Sequence, residues 1–355
     1  MIELFVPGRL CLFGEHSDWA GGYRRVDPSI PPGQCLVAGT DQGIHVEAEA
    51  RLREVAIAHW IDSERRWHEE VVDDMAGFLA EKAEAGGFLS YAFGTAAQVI
   101  ASHKVGGITL RIRSSTLPIQ KGLSSSAAIC VAVARAFSRV HDLGLTEDQE
   151  MELAYEGERL AGSECGRMDQ ICAYGRRATH LTFDGDRLTI ETLDVAKPLH
   201  LLIVDLARSK DTRRILRDLN ACFPAAPGVV AAGVREALGP LNERLVSRAR
   251  EALVVGDAAA LGALMTEAQA LFDRQVAPAC PELAAPRLHE VLDHPAAREL
   301  ALGGKGVGSQ GDGSAQLVTA GPAERDALAN RLERELGVPC LPLTLEPADR
   351  THASG

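Results

Sequence analysis

Apolar and polar residues alternate through the early part of the chain with the period of strands buried on one face. Ile44, Val46 and Ala48 alternate with His45, Glu47 and Glu49, and Ile108, Leu110 and Ile112 alternate with Thr109, Arg111 and Arg113. Helical stretches follow. Ser90 to Ala101, broken only by Gly94, and Ser125 to Val140 are rich in Ala and aliphatic residues, and Thr146 with Gln149 forms a capping-box pattern that opens a helix over Glu147 to Leu160. Short strands are predicted at Ala178 to Phe183, Arg187 to Leu193 and His200 to Asp205. The chain is then helical from about Val229 to Leu292 and returns to strand at Ala315 to Thr319.

This mixed order predicts an α+β chain. At 355 residues it exceeds what one compact core usually organises, so two domains are expected, with a boundary near Ala196, a first domain over 1–195, a second over 196–355, and a cleft between them.

A net charge of -12 disfavours nucleic acid or an anionic membrane as the main partner. The eight cysteines, Cys11, Cys35, Cys130, Cys165, Cys172, Cys222, Cys280 and Cys340, show no Cys-x-x-Cys and no zinc spacing with His, and read as reduced, mostly buried thiols. With no basic-then-apolar leader and no apolar run of spanning length, the expected location is the cytoplasm, without a membrane partner.

Four segments carry candidate chemistry. Pro118 to Ala128 includes Lys121, Gly122, Leu123, Ser124, Ser125, Ser126 and Ala127, a small-residue turn between a strand and a helix. Helix N-terminal N–H groups lack intrahelical partners and carry the positive end of the dipole, so this turn suits a polyphosphate. Ser126 is the preferred hydroxyl ligand for Mg²⁺. A Ser-rich N-cap gives the same pattern.

Pro7 to Gly22 runs from an apolar strand into a polar loop with Glu15, His16 and Asp18, a set able to exchange hydrogen bonds with a polyol, although a solvated turn also explains it. Glu158, in Ala154 to Arg159, and Asp169, in Gly162 to Gln170, are placed to serve a metal and a substrate hydroxyl, with a helix carboxylate and a turn Asp as the plain alternatives. Gly303 to Ser314 reads as a glycine-rich loop whose backbone approaches a ligand or another loop.

In this order the four segments resemble the GHMP small-molecule kinases, the superfamily of galactokinase, homoserine kinase, mevalonate kinase and phosphomevalonate kinase, from residue 7 to about 316. Pro7-Gly8-Arg9 with Gly14-Glu15-His16-Ser17-Asp18 and Gly21-Gly22 is similar to galactokinase, as is Cys165-Gly166-Arg167-Met168-Asp169-Gln170. Gly157-Glu158-Arg159 and Ser209 to Arg213 look more like mevalonate kinase.

The resemblance implies a ribosomal-protein-S5-like N-terminal domain and a ferredoxin-like C-terminal domain with the active site between them. It implies an ATP- and Mg²⁺-dependent kinase acting on a sugar or polyol, as a monomer or homodimer. In it Asp169 and Arg9 are catalytic, Glu15, His16, Asp18, Gly22 and Asp169 bind substrate, Lys121 to Ala127 bind ATP, and Ser126 and Glu158 hold the metal. A mevalonate-type alcohol kinase and a catalytically weak sugar- and ATP-binding regulator are the alternatives.

The chain departs from its relatives in two places. Gly308-Ser309-Gln310-Gly311-Asp312-Gly313 brings an acidic residue to the glycine loop, where it would need a metal or an outward orientation, and Tyr23 to Gln34 is inserted beside the substrate loop. Arg24 or Arg25 of the insertion is a candidate to pair with an anionic group on the substrate, against two solvated loop arginines.

Overall fold

The computed structural model describes residues 1–61, 66–118, 122–163 and 165–347. In chain order the elements of the first half are β1 (Ile2–Phe13), α1 (Ser17–Gly22), β2 (Gly33–Ala50), β3 (Glu54–Ile61), β4 (Arg66–Asp73), α2 (Ala76–Glu84), α3 (Ser90–His103), β5 (Ile108–Ser115), α4 (Ser125–Val140) and α5 (Glu147–Leu160). Then come β6 (Ala178–Asp184), β7 (Arg187–Leu193), β8 (Leu199–Asp205), α6 (Thr212–Asn220), α7 (Val229–Glu236), α8 (Asn242–Val255) and α9 (Ala258–Gln275). The chain finishes with α10 (Pro286–Leu292), α11 (Pro295–Leu300), β9 (Ala301–Gly306), β10 (Ser314–Thr319), α12 (Pro322–Leu336) and β11 (Cys340–Leu345).

Compactness divides the chain into two units, Met1–Arg9 with Gly39–Arg176, and Leu10–Ala38 with everything from Arg177. A cut at residue 195 crosses the chain once. The observed division crosses it at three points, because β1 and β2, of 12 and 18 residues, are long enough to contribute to both units.

In the first unit β3 pairs antiparallel with β4 and parallel with β5, and β5 pairs antiparallel with β2, Leu110 standing opposite Ala48. The predicted alternation holds in part: Val46, Ala48, Ile108 and Leu110 are buried and Glu49 and Arg113 reach solvent, but Glu47 and Thr109, expected on the polar face, are buried as well. Helices α3, α4 and α5 pack on one another around Phe93 and Phe137, both fully buried. Helix α5 begins on the complete capping box that the sequence announces, with Gln149 N–H donating to Thr146 Oγ1 at 3.3 Å and Thr146 N–H to Gln149 Oε1 at 2.9 Å.

Helices α3 and α5 meet backbone to backbone. A Cβ on Gly94 would lie 2.2 Å from the Gly157 carbonyl oxygen, and one on Gly157 would lie 2.4 Å from Thr95 N and Cα. This approach sets the depth of α5 and so of Glu158, the next residue.

In the second unit the start of β2 pairs antiparallel with β6, and β6 with β7. A separate antiparallel sheet has the order β11-β8-β10-β9. Its apolar face, with Leu202, Val204 and Leu317, packs against Leu288, Val291, Leu328 and Leu332 of α10 and α12. A second cluster gathers Ile215, Leu219, Phe223, Val234 and Phe272, and Trp19, Tyr23 and Ile30 pack onto it.

The glycine-rich stretch read as a loop is partly strand: Ala301–Gly306 forms β9, and only the residues after it turn. Pairing with β10, Gly304 opposite Leu317 and Gly306 opposite Ala315, overrides the poor strand propensity of glycine. All eight cysteines are free, six of them buried. No described helix is long and apolar enough to cross a membrane.

Because the α3–α5 contact has no space for a methyl group, Gly157→Ala should lower stability by about 1–3 kcal/mol, read as a reduced urea midpoint at an unchanged m-value.

Candidate active site

Strand β1 carries Arg9 into the first unit between buried neighbours. Gly8 permits the close fit, since a Cβ there would stand 2.4 Å from Leu117 Cδ2 and 2.7 Å from the Leu123 carbonyl oxygen. Arg9 is 6% exposed and fixed on three sides. Its N–H donates to Leu123 O at 3.2 Å, its Nη1 to Gly122 O at 2.8 Å, and its Nε to Asp169 Oδ1 at 3.2 Å, with Nη2 on the same oxygen.

Gly122 (φ 79) and Ser124 (φ 54) turn through the left-handed region before α4 starts. Ser124 is the N-cap residue, and its side chain makes no capping hydrogen bond. A serine cap is therefore not what this turn provides, and the dipole of a 16-residue helix ends here on small residues. Ala127 is fully buried, and Leu123 anchors the turn in the core. Lys121 lies outside the described residues.

Glu158 is 2% exposed and faces this turn from α5. Gln170, fully buried, donates Nε2 to its Oε2 at 2.8 Å, Ser163 Oγ lies 3.5 Å from its Oε1, and the Ser126 hydroxyl hydrogen-bonds to it. Burial first, then the charge of Asp169, pushes the Glu158 carboxyl up to about 7, and the hydrogen bonds from Ser126, Gln170 and Ser163 pull the other way.

A carboxylate and a hydroxyl are donors suited to a hard cation. Among the described residues no three His, Cys, Asp or Glu side chains form a metal cage. The residues present fit Mg²⁺.

The loop expected to bind substrate lies in the second unit. A Cβ on Gly14 (φ 87) would fall 2.1 Å from the Gln34 carbonyl oxygen, and His16 follows at φ 69. The buried Ser17 donates Oγ to Gln34 O at 2.7 Å, and Asn242 Nδ2 donates to both, at 3.0 and 2.8 Å. Of the paired glycines it is Gly21 that has no room, 2.5 Å from Phe183 O. Gly22, assigned to substrate, is helical with space for a side chain.

Glu15 is buried in an ion pair with Lys305 of β9, whose Nζ also donates to Gly306 O at 3.0 Å. Lys305 is a functional candidate the sequence reading missed, its only signal a lysine enclosed by glycines.

His16 Nδ1 accepts from Trp19 Nε1 at 3.1 Å, and burial with the charges of Lys210 and Lys305 lowers the ring to about 3, so it is neutral near pH 7. Asp18 is half-buried on α1.

Two expectations about the departures from the family pattern are corrected. Arg24 pairs with Asp184 and donates to the Pro28 and Ile30 carbonyls, and Arg25 pairs with Asp186 at 2.9 Å, so both brace the inserted segment. Asp312 needs no metal, because its Oδ1 accepts the Arg287 and Leu288 N–H groups at 2.9 and 3.0 Å at the start of α10.

Comparison with known proteins follows this geometry. The model of the GHMP kinases N terminal domain matches residues 90–176. A galactokinase of Roseiflexus sp. (strain RS-1) is 30% identical over 299 residues, covering 74% of this chain and 71% of the relative. The Lactococcus lactis galactokinase complexed with galactose superposes with a TM-score of 0.74 at 19% identity, covering 97% of this chain and 93% of that one. The Methanococcus jannaschii mevalonate kinase gives 0.72 at 16% identity, covering 98% of both. The fold is the two-domain one these kinase structures share. The chain belongs to the GHMP kinase family.

Two outcomes follow from these buried charges. A carboxyl held near 7 in the fold against 4.5 when unfolded favours folding below about pH 4.5, and that contribution disappears as pH rises through 7. Urea titrations without divalent cation should therefore show Glu158→Gln flattening the decline over this window, by on the order of 3 kcal/mol. Lys305→Met strands a buried carboxylate and should cost about 3–5 kcal/mol, most of it recovered when Glu15→Gln is added.

Proposed function

We propose that this chain is an ATP-dependent sugar kinase that phosphorylates a hydroxyl of a monosaccharide or sugar derivative. The observation that carries the reading is the Arg9 junction, where one guanidinium holds both the Gly122 carbonyl of the turn before α4 and the Asp169 carboxylate. A phosphate-binding helix start, a fixed cation and a carboxylate are the parts that phosphoryl transfer needs, because it depends on positioning and charge stabilisation more than on covalent chemistry.

In this mechanism the N–H groups at the start of α4 receive the ATP phosphates, with Gly122 to Ser126 small enough to admit them. Arg9 offsets charge on the transferred group. With Arg9 on Oδ1, Asp169 Oδ2 takes the proton of the acceptor hydroxyl as its oxygen attacks the γ-phosphorus and the bond to the β–γ bridging oxygen breaks to release ADP, or holds that hydroxyl in line while the proton leaves later. Glu158 and Ser126 would hold Mg²⁺, which would offset the negative charge of the ATP phosphates. Glu15, His16 and Asp18 form the sugar-binding loop. Free thiols throughout suit a reducing cytoplasm.

Asp169→Ala should lower kcat by at least about 10²-fold while the ATP dissociation constant changes little, measured by ADP release and by calorimetry with a non-hydrolysable analogue. A kcat equal to that of the parent protein would sink the assignment.

A further inference from the structure

Gln170 stands behind both carboxylates of the first unit. It is fully buried on the turn Asp169–Tyr174, next in sequence to Asp169, and its Nε2 donates to Glu158 Oε2 at 2.8 Å. The same amide nitrogen also donates to Cys165 Sγ at 3.5 Å. Turned over, the amide would set its oxygen against an ionised Glu158, acceptor against acceptor, so the carboxylate fixes which way Gln170 faces.

The carbonyl end of the amide has no such use. Gln170 Oε1 is buried and makes no hydrogen bond. A buried acceptor without a partner costs free energy, and an apolar side chain of similar shape would relieve the core of that cost. Packing alone therefore does not call for glutamine here. The donation from Nε2 to Glu158 does.

The chain just beyond α5 supplies a second set of contacts to Glu158. Ser163 N–H donates to the Glu158 carbonyl at 3.2 Å, Ser163 Oγ lies 3.5 Å from Oε1, and Cys165 N–H donates to Ser163 Oγ at 3.2 Å. Gln170 reaches Glu158 from the segment that carries Asp169, whose Oδ1 is held by Arg9. The Glu158–Gln170 hydrogen bond thus ties the carboxylate on the metal side of the site to the segment of the carboxylate that meets the acceptor hydroxyl. Hydrogen bonds of this kind orient a metal ligand without touching the metal.

We propose that Gln170 is a positioning residue for the divalent cation, its Nε2–H holding the Glu158 carboxylate in the orientation that receives Mg²⁺ and in register with Asp169. The metal role of Glu158 rests on the kinase reading above.

The test titrates Mn²⁺, which like Mg²⁺ takes oxygen ligands, into the ADP complex of the full chain and reads free Mn²⁺ by electron paramagnetic resonance. The parent, Gln170→Met, Glu158→Gln and the double variant form a cycle, and ADP binding in EDTA is measured for each. Gln170→Asn, which keeps the amide but is one methylene too short to reach Glu158, takes the place of Gln170→Met if that variant does not fold. The expected result is a Mn²⁺ dissociation constant raised about tenfold in Gln170→Met, metal-free ADP affinity within about twofold of the parent, and no further loss when Gln170→Met is added to Glu158→Gln. An unchanged Mn²⁺ affinity in Gln170→Met overturns the inference. So does a loss that persists in full on top of Glu158→Gln, because Gln170 would then act on the fold and not through Glu158. Mn²⁺ held no more tightly by the parent complex than by free ADP, or held equally by Glu158→Gln, overturns it as well, and the kinase reading stands if the parent releases ADP with a sugar. The expected cycle with no ADP release on galactose, glucose, galacturonate or glucuronate upholds the inference and sinks the kinase reading.

Discussion

A single guanidinium organises the first unit. Arg9 holds Asp169 on one side and the Gly122 carbonyl on the other, so the position of the carboxylate and the path of the turn before α4 are fixed by one rigid, permanently charged group. That leaves two carboxylates close together and one cation between them. Arg9 is taken by Asp169, and Glu158, more deeply buried and facing its charge, holds its proton to an unusually high pH. In the proposed mechanism a divalent cation would join Arg9 in this cluster, and its charge would favour the ionised form of Glu158.

The two long helices of this unit show how similar local sequences are put to different ends. Helix α5 starts on a filled capping box, and its first donors are satisfied by Thr146. Helix α4 starts on Ser124 in a left-handed conformation with no side-chain cap, although three serines stand at hand. The difference lies in the backbone: a residue at φ 54 does not have the extended geometry from which an N-cap hydroxyl reaches back to the helix. Backbone shape, more than the chemistry of serine, leaves the start of α4 without a side-chain cap from Ser124.

Much of this was legible in the sequence because its signals are local. The limits of α4 and α5, the capping box and the alternation of β2 and β5 depend on neighbours a few residues apart. Lys305 was not legible, since its partner Glu15 is 290 residues away and the stretch around it reads as loop until β10 supplies the pairing. A motif with two glycines does not say which of them has no space, and only the fold shows that it is Gly21. The arginines of the insertion looked available to a ligand, yet Asp184 and Asp186 at the β6–β7 turn already bind them.

The altered glycine loop illustrates the same limit and what lies beyond it. Taken as a phosphate-binding variant, an acidic residue in it is a contradiction. Taken residue by residue, each departure has its own cause: Asp312 closes the start of α10, Gln310 turns the chain at φ 64 and offers its carbonyl to Lys210, and Gly313 stays small beside that lysine's tip. None of these duties requires a nucleotide. They share one product, a turn whose backbone and side chains are fixed by the chain itself: Asp312 by the first N–H groups of α10, and the Gln310 carbonyl by the Lys210 ammonium.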